Sequence, residues 1–348
     1  MKRFFAVCLC ALTLIAASSC TTPSNGPETE IGIWYSTFFS YEEPGSEDNK
    51  LDTWNAWDLK YKPLLPDGSF GYYDSGDEEV IKFHLKMLSE AQIDFIIMDQ
   101  TNHIDVDNGY INERSLKVAQ TIKEYNDTAD RPVKYCSAIG AIQWSKKPEV
   151  IEEEAKILWE RYNSQEFGTE DYHYYYEGKP LLIVYGNGGE KMWNEYTGDK
   201  TYGSKFTIRW AGNDNTPGYW GWAYTTGPKW HHETVVVMPG WHNRAGNPPV
   251  YRDGDETYRK FWDNIMEQES RPRIIVINSF NEYGECTSIL PAQTPGIKGM
   301  GAKREQWLNA AGEEDPWLYW NLTKEYITAF KASGKPLASG EVESEVSQ

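Results

Sequence analysis

Short apolar runs, rich in β-branched residues, recur along the chain without strict alternation of apolar and polar positions. Such runs are typical of strands that are buried on both faces of a parallel sheet. The predicted strands are Ile31–Ser36, Ile93–Asp99, Val133–Ile139, Leu181–Tyr185, Phe206–Trp210, Thr234–Met238 and Arg273–Ser279, with a weaker eighth at Trp220–Tyr224.

Segments with helical periodicity separate several of these runs. In Asp77–Ala91 the residues Ile81, Leu85 and Leu88 fall on one stripe, and Pro148–Tyr162 begins with proline in the first turn. The alternation of strands and helices predicts an α/β fold, namely a (β/α)8 TIM barrel with long βα loops. The other predicted helices are Asn112–Tyr125, Thr257–Glu267 and Asp315–Ala332.

The predicted barrel occupies residues 30–333 as one domain, and its eighth strand depends on the weak run. Two long segments, Thr37–Asp74 and Gly186–Pro249, should form walls above the C-terminal ends of the strands. The first is rich in tryptophan and tyrosine, which either stack on sugar rings or pack on each other. The last residues, 334–348, lack apolar periodicity and are expected to be disordered.

The N-terminus is typical of an export signal. Lys2 and Arg3 precede the apolar stretch Phe4–Ala17, and small residues lead into Cys20. The sequence that ends at Cys20 resembles a bacterial lipobox. Residues 1–19 are therefore predicted to be a signal peptide, and Cys20 the lipidated first residue of the mature chain. Cleavage elsewhere, or a soluble secreted protein, is the alternative.

These features predict a monomeric outer-membrane lipoprotein that faces the periplasm or the cell surface, with residues 20–29 as a flexible tether. The lipid would be its only attachment to the membrane. The formal net charge of −18 disfavours phosphate backbones, so nucleic acid is not an expected partner. Cys136 and Cys286 are expected to be buried free thiols, although an exported pair could form one bridge.

Polar residues follow several predicted strands at the end where barrel enzymes place their chemistry. The strand that ends at Asp99 leads to Asn102, and the strand before Pro239 leads to Trp241 and His242. Polar residues at a single strand end are often ordinary exposed turns. Because several such sets occur at the same end of the predicted barrel, we expect them to form a site.

Glu282 and Glu285 follow the last predicted strand and are three residues apart, with Gly284 between them. On a turn this spacing directs both carboxylates to one side. Two close carboxylates raise one pKa, which gives an acid and a base in one site. Glycoside hydrolysis uses such a pair. The alternative is a solvated loop with two ordinary acids.

A catalytic metal is a weaker interpretation. Asp99, His103, His242 and the pair His231 and His232 are ligand types, but none has a recognised short spacing such as HExxH. A G-x-S-x-G nucleophile elbow and a glycine-rich phosphate loop after the first strand are also missing from the sequence. No metal or organic cofactor is therefore expected.

The segment Ser279–Ala292, SFNEYGECTSILPA, resembles the S-[FW]-N-E-W-x-E-G-T-x-I-E-P signature of glycoside hydrolase family 99. This family comprises the endo-α-mannosidases and their polysaccharide-associated relatives. Gly71–Asn102 and Met238–Arg244 are similar to other landmarks of the family. The chain differs at Cys286 and Leu290, where the signature has glycine and glutamate. NEYGEC is also similar to the NDYGES of family 71 α-1,3-glucanases, so the resemblance is firmer for the clan than for the sugar.

The resemblance implies a barrel glycoside hydrolase that acts on an α-linked polysaccharide or glycan with retention of configuration. Glu282 would be the base that activates the sugar 2-hydroxyl to give a 1,2-anhydro intermediate, and Glu285 the acid that protonates the leaving oxygen. Two alternatives remain open, a non-catalytic glycan-binding surface lipoprotein and a role in polysaccharide assembly. The expected substrate contacts are Tyr35, Asp99, Asn102, Trp241, His242, Asn281 and Tyr283.

Overall fold

The computed structural model describes residues 28–41, 53–56, 59–102, 104, 110–163, 172–212, 216–222, 227–242, 248–294 and 306–339. The predicted signal peptide, Cys20 and the tether before Glu28 lie outside the described residues. None of the described helices is both long enough and apolar enough to cross a membrane. Cys136 and Cys286 are buried free thiols, which confirms that prediction.

The described residues form one large parallel sheet with two small antiparallel additions. The strands are β1 (Glu30–Ser36), β2 (Lys62–Pro63), β3 (Phe95–Gln100), β4 (Lys134–Ile139), β5 (Tyr175–Tyr176), β6 (Lys179–Tyr185), β7 (Thr207–Ala211), β8 (Thr234–Val237), β9 (Ile274–Ile277) and β10 (Ala292–Gln293). The parallel neighbours follow the order β7–β6–β4–β3–β1–β9–β8. Antiparallel ladders join β5 to the start of β6 and β2 to β10. The seven clear strand predictions are confirmed, with slightly different ends.

The eighth predicted strand, Trp220–Tyr224, is not a strand over those of its residues that are described. Its backbone does lie beside β7, because the Trp220 N–H donates to the Trp210 carbonyl at 2.7 Å. However, the Trp34 indole N–H donates to the Trp220 carbonyl at 2.8 Å, and Trp222 has a positive φ of 29°. The described strands confirm an α/β fold with a curled, open sheet that has β7 and β8 at its edges, and the closed barrel of eight stays a prediction.

Helices connect most of the parallel strands. In the described chain they are α1 (Thr53–Ala56), α2 (Glu78–Glu90), α3 (Tyr110–Asn126), α4 (Ala141–Ser145), α5 (Glu149–Tyr162), α6 (Gly189–Glu195), α7 (Glu256–Met266) and α8 (Leu318–Ala332). Helix α2 begins after Asp77, whose carboxylate accepts from the N–H groups of Glu79 and Val80, as an N-cap should. Helices α2, α3, α5, α7 and α8 confirm the five predicted helices.

Large aromatic side chains fill the core around the sheet. Phe95 of β3 stacks on Tyr174, with ring centroids 3.7 Å apart. The Phe95 ring also covers Gly32 of β1, where a Cβ atom would lie 2.3 Å from it. Because glycine has no Cβ atom, the Phe95 ring can lie against position 32, and β1 and β3 pair with Gly32 opposite Phe95.

The aromatic residues of the Thr37–Asp74 segment belong mainly to this core. Trp54 is fully buried and stacks on Phe39 and Tyr72, with centroid distances of 4.5 and 5.0 Å. Tyr73 packs edge-on against Trp54 at 5.3 Å. Of the two roles that the sequence left open, mutual packing is therefore the one that the described residues adopt.

The C-terminal prediction needs a correction. Residues 334–339, the described part of the tail expected to be disordered, are fastened to the domain. The Arg271 N–H donates to the Pro336 carbonyl at 2.7 Å, and the Ala338 N–H donates to the Arg271 carbonyl at 2.8 Å. These bonds make a short bridge that a sequence without periodicity does not reveal. Residues 340–348 lie outside the described chain.

Candidate active site

A cavity of about 200 Å³ opens at the C-terminal ends of the parallel strands. Asp99 is the second-last residue of β3, and Tyr185 is the last residue of β6. The turn after β9 carries both glutamates. This is the edge at which barrels and other parallel α/β sheets hold their ligands. The lining residues are Phe38, Asp99, Thr101, Asn102, Gln143, Tyr185, Trp222, Glu282, Gly284 and Glu285.

Glu282 and Glu285 lie on one tight turn after β9. The Cys286 N–H approaches the Tyr283 carbonyl at 3.4 Å, and Cys286 has a left-handed φ of 58°. The Glu285 N–H donates to Oε1 of Glu282 at 3.0 Å. The first carboxylate thus caps the turn that carries the second. Both carboxylates face the same cavity.

The turn is fastened to the end of the sheet. The Glu282 N–H donates to the Ser279 hydroxyl at 2.9 Å, and that hydroxyl shares a 2.8 Å hydrogen bond with the Thr287 hydroxyl. The N–H groups of Thr287 and Ser288 both donate to the Glu282 carbonyl at 3.1 Å. Because these bonds come from both sides of the turn, they restrict the backbone that carries Glu282.

Arg252 holds the far side of the turn. Its buried guanidinium lies 5.1 Å from the Trp307 ring centroid and 4.4 Å from that of Tyr319. Its Nη2 donates to the carbonyls of Cys286 and Ser288 at 2.8 and 2.7 Å. A planar cation that stacks on aromatic rings and donates to two carbonyls is a rigid clamp.

Burial dominates the electrostatics of Glu282, whose side chain lies deep in the cavity. Desolvation, followed by the charges of Glu285 and Asp99, raises the pKa of Glu282 to about 8. The backbone N–H groups of Glu285 and Gly284 oppose this rise by stabilising the ionised form. The Ser36 hydroxyl also donates to Oε2 of Glu282, at 3.2 Å.

Glu285 has a similar but less enclosed environment. Burial and, to a smaller extent, the charge of Asp99 raise the pKa of Glu285 to about 7, while the Trp241 indole N–H opposes the rise. That indole donates to Oε2 of Glu285 at 3.1 Å, and the His242 N–H donates to the Glu285 carbonyl at 2.9 Å. Trp241 and His242 therefore hold Glu285 and are not among the lining residues, although both were expected to contact substrate.

Asp99 brings a third carboxylate to the cavity. Its Oδ1 accepts from the N–H and the hydroxyl of Thr101 at 3.1 and 2.7 Å, and burial raises its pKa. Asn102 follows as an exposed residue at the cavity. Lysine and arginine are absent from the described lining residues, so the cavity is acidic.

Tyr35 and Tyr283, two of the expected contacts, point into the core. The Tyr35 hydroxyl bonds Nδ1 of His84 on α2 at 2.9 Å, and the Tyr283 hydroxyl donates to the Leu290 carbonyl at 3.2 Å. Both side chains are buried and neither lines the cavity. Successive side chains of a strand point to opposite faces. Tyr35 therefore faces the helices, and the next residue, Ser36, faces the site.

Asn281, another expected contact, lies beneath the cavity. Its Oδ1 accepts from the Ser36 N–H at 2.7 Å, and its Nδ2 donates to the Ser36 carbonyl at 2.9 Å and to the Tyr73 hydroxyl at 3.0 Å. It is fully buried. Asn281 therefore holds the end of β1 in place, and its expected contact with substrate stays a prediction.

Several residues at the site were not singled out from the sequence. Phe38, Gln143 and Trp222 line the cavity, and the Trp222 ring packs on Trp34 at 5.2 Å between centroids. Phe38 could have been predicted, because it lies two residues after β1, at the end of the sheet where the predicted polar residues lie. Trp222 could not, because its position depends on the irregular segment beside β7.

The described residues hold no group of three histidine, cysteine, aspartate or glutamate side chains arranged to bind a metal ion. His103 lies outside the described chain. The rings of His231 and His232 are 4.3 Å apart, and Nδ1 of His231 accepts from the Glu233 N–H at 3.2 Å. These two histidines are not among the residues that line the cavity.

Comparison with known proteins places the fold among glycoside hydrolase structures. No family model matches the chain, and no curated protein matches it. A GH99 endo-α-mannosidase from Bacteroides thetaiotaomicron aligns with a TM-score of 0.55 and 16% identity, over 88% of this chain and 99% of that one. A second structure of a GH99 endo-α-mannosidase from that organism, in complex with bis-tris propane, has a TM-score of 0.57 and 16% identity over 88% and 98%.

A third similar structure, a glycoside hydrolase-like protein, has a TM-score of 0.51 and 11% identity, over 87% of this chain and 94% of that one. The alignments span nearly the whole length of the three proteins. At this level of identity they establish a shared fold. The chain is therefore GH99-like in structure.

Proposed function

We propose that the protein is a glycoside hydrolase that cleaves an α-linked polysaccharide or glycan, in the manner of an endo-α-mannosidase. The observation that carries the proposal is the pair Glu282 and Glu285, which face one cavity with pKa values raised toward neutral. Glycosidases need one carboxyl group that holds a proton and one that has lost it. The structural similarity to GH99 endo-α-mannosidases supports the same class of reaction.

The two glutamates take different roles in the proposed mechanism. Glu282 accepts two hydrogen bonds that favour its ionised form, from Ser36 and from the Glu285 N–H. We assign Glu282 as the base that removes the proton of the sugar 2-hydroxyl, whose oxygen then attacks the anomeric carbon. Glu285 gives its proton to the leaving oxygen. Water then opens the 1,2-anhydro ring, with Glu285 as base and Glu282 as acid, so configuration is retained.

The rest of the cavity suits a sugar ring. Phe38, Tyr185 and Trp222 provide apolar surface for the C–H face of a sugar, and Asn102 and Gln143 provide amides for its hydroxyls. We propose that these side chains bind the sugar, because the two glutamates carry out proton transfer. A polysaccharide or oligosaccharide is the proposed partner, and the chemistry requires no metal or organic cofactor.

The pKa values imply a narrow pH optimum. Below the pKa of about 7 for Glu285, both glutamates hold a proton and no base is present. Above the pKa of about 8 for Glu282, both are ionised and no acid is present. Since the two groups are coupled, the limbs belong to the pair, which holds one proton between these two pH values. The order of the pKa values favours Glu282 for that proton, and the proposed reaction starts from the form of the pair in which Glu285 holds it. We expect kcat/KM to follow a bell-shaped curve with its maximum between pH 7 and 8, measured on any cleaved glycan.

The function is tested with the mature chain from Cys20 onward on α-mannans, α-glucans and host-type glycans. Release of reducing ends would be measured for the wild type, Glu282→Gln and Glu285→Gln. We expect at least one glycan to be cleaved and each variant to lose about 10²–10⁴-fold of the activity with its fold intact, because proton transfer contributes that much. Binding to a glycan without any product would instead favour the non-catalytic alternative.

A comparison of leaving groups separates the two roles. With a fluoride or nitrophenyl leaving group the departing atom needs little protonation. Glu285→Gln should then recover most of its activity, while Glu282→Gln should remain inactive because its sugar hydroxyl is still not activated. The opposite pattern would exchange the two assignments. Equal losses on both kinds of substrate would contradict the division of roles.

We also propose that Cys20 carries a lipid and anchors the protein to the bacterial outer membrane. The supporting observation is the lipobox-like sequence before Cys20. Mass spectrometry of the N-terminal peptide from membranes should show a diacylated cysteine, and Cys20→Ala should release the protein from the membrane fraction. An unmodified N-terminus at another residue would replace this proposal with ordinary secretion.

A further inference from the structure

Ser36 is the last residue of β1, and its side chain reaches the proposed base from below the cavity. Its hydroxyl donates to Oε2 of Glu282 at 3.2 Å, while Oε1 of the same carboxylate is occupied by the Glu285 N–H. Ser36 is 1% exposed and Glu282 5%. Each carboxylate oxygen therefore has a protein donor in a place that water scarcely reaches.

The position of Ser36 is itself fixed. Asn281 accepts from the Ser36 N–H at 2.7 Å and donates to the Ser36 carbonyl at 2.9 Å. A side-chain amide that pairs with both backbone groups of one residue acts like a neighbouring strand. The same amide nitrogen is also 3.0 Å from the Tyr73 hydroxyl. The remaining freedom of Ser36 is the rotation of its hydroxyl, which the Glu282 carboxylate directs.

The charges around Glu282 explain why such a donor matters. Desolvation disfavours the ionisation of Glu282 most, and the carboxylates of Glu285 and Asp99 add to this effect. The hydrogen-bond donors Ser36 and the Glu285 N–H act in the opposite direction. The titratable or charged groups that face Glu282 or hold its turn are Tyr73 before α2, Asp99 after β3, Tyr185 of β6, His242 after β8, Arg252 before α7 and Glu285 on the turn itself.

We propose that Ser36 is a positioning residue for the reaction: its hydroxyl, set in place by Asn281, orients the Glu282 carboxylate and stabilises its ionised form. This inference rests on the proposed function for its catalytic meaning. Its physical content, a hydrogen bond that stabilises an ionised buried carboxylate, can be measured without any substrate.

The direct test is the titration of Glu282 in protein with ¹³C-labelled glutamate carboxyls, with the signal assigned by Glu282→Gln. We expect Ser36→Ala to raise the titration midpoint of Glu282 by about one pH unit, because a hydrogen bond to a charged group is lost. The matched control is Ser137→Ala on β4, a buried serine whose hydroxyl bonds no carboxylate. An unchanged midpoint in Ser36→Ala, or an equal shift in the control, would overturn the inference.

Activity provides the second readout on any glycan that the wild type cleaves. Ser36→Ala should move the falling limb of the pH profile upward by about one unit, and it should lower kcat with little change in KM because the ionised form of Glu282 is less populated. Ser137→Ala should leave both unchanged. A wild-type enzyme with an unaltered Ser36→Ala profile would refute the positioning role and leave the proposed function intact. A shifted midpoint in a protein that cleaves no glycan would support the hydrogen bond and refute the catalytic assignment.

Discussion

The two strand ends that carry acidic groups into the cavity are built in different ways. The turn after β9 is fastened by Ser279, Thr287 and the clamp of Arg252, so the backbone on both sides of its glutamates is fixed. The end of β3 holds Asp99 through local bonds to Thr101, and the chain then becomes exposed at once. The proposed mechanism uses the rigid end for proton transfer, and we expect the β3 end to adjust charge and binding.

The largest effect on the turn after β9 is expected when the Arg252 guanidinium is removed. Arg252→Gln leaves the buried carbonyls of Cys286 and Ser288 without their donor. We expect the free energy of unfolding to fall by about 2–4 kcal/mol, measured by urea denaturation, and the activity to fall with it. The control Arg259→Gln removes a partly exposed ion pair with Asp255 and should cost less than about 1 kcal/mol. Equal losses in both variants would show that the clamp is unimportant.

The raised pKa of Glu282 makes the free energy of unfolding depend on pH. The folded pKa of Glu282 is about 8, against an ordinary value of 4.5. Below 4.5 both states hold the proton and nothing is lost. As the pH rises from 4.5 to 8 the unfolded chain releases a proton that the folded chain keeps, so stability falls.

Glu282→Gln removes this dependence, because it has no proton to keep. We expect the variant to match the wild type near pH 4 and to exceed its stability at pH 8 by an amount on the order of 2 kcal/mol, followed by thermal unfolding at both values. The exposed Glu90→Gln serves as control and should not change with pH in this way. A variant that is less stable at pH 8 would contradict the electrostatic account of the turn.

We expect Asp99, near the end of β3, to adjust the pKa values of the two glutamates without taking part in proton transfer. Asp99→Asn removes a charge that raises the pKa of Glu282 and of Glu285. We therefore expect both limbs of the pH profile to move downward, by about half to one unit, with substantial activity retained. Asp67→Asn, in an exposed turn, should leave the profile in place. A loss as complete as that of Glu285→Gln would give Asp99 a direct part in catalysis.

The smallest effect is expected at the exposed neighbour. Asn102→Ala removes an amide from the cavity mouth without disturbing any buried group. KM should rise by roughly threefold to tenfold while kcat stays nearly constant, since one uncharged hydrogen bond to substrate is lost. Steady-state kinetics would measure both constants. A fall in kcat with unchanged KM would mean that the β3 end also orders the reacting groups.

The local sequence pattern predicted most of the strands and helices, but not the segments whose conformation depends on contacts with distant residues. The buried runs of β1 and β9 and the capped stripe of α2 could be predicted, because burial and capping leave periodic signals. The described part of the Trp220–Tyr224 run, residues 220–222, is not a strand, and its position depends on the bonds of Trp220 to β7 and to Trp34. No local pattern encodes such a contact across the chain.

The candidate site shows the same limit at single residues. Glu282 and Glu285 were predicted from spacing and strand position, and the structure brings them to one cavity. Tyr35 was expected to contact substrate, but its hydroxyl bonds His84 in the core, and the next residue of the strand, Ser36, is the one that bonds Glu282. Arg252 was missed because its partners are carbonyls of a distant turn, and a lone arginine carries no motif.

The central claim, that Glu282 and Glu285 are the catalytic pair of a glycoside hydrolase, is tested most directly by proton NMR of the anomeric signals during incubation with α-linked glycans. The wild type, Glu282→Gln and Glu285→Gln would be followed side by side. We expect the wild type to release a product whose first-formed anomer has the configuration of the substrate, and both variants to release none on the same timescale. Product formation at a wild-type rate by either variant, or first release of the inverted anomer, would contradict the account.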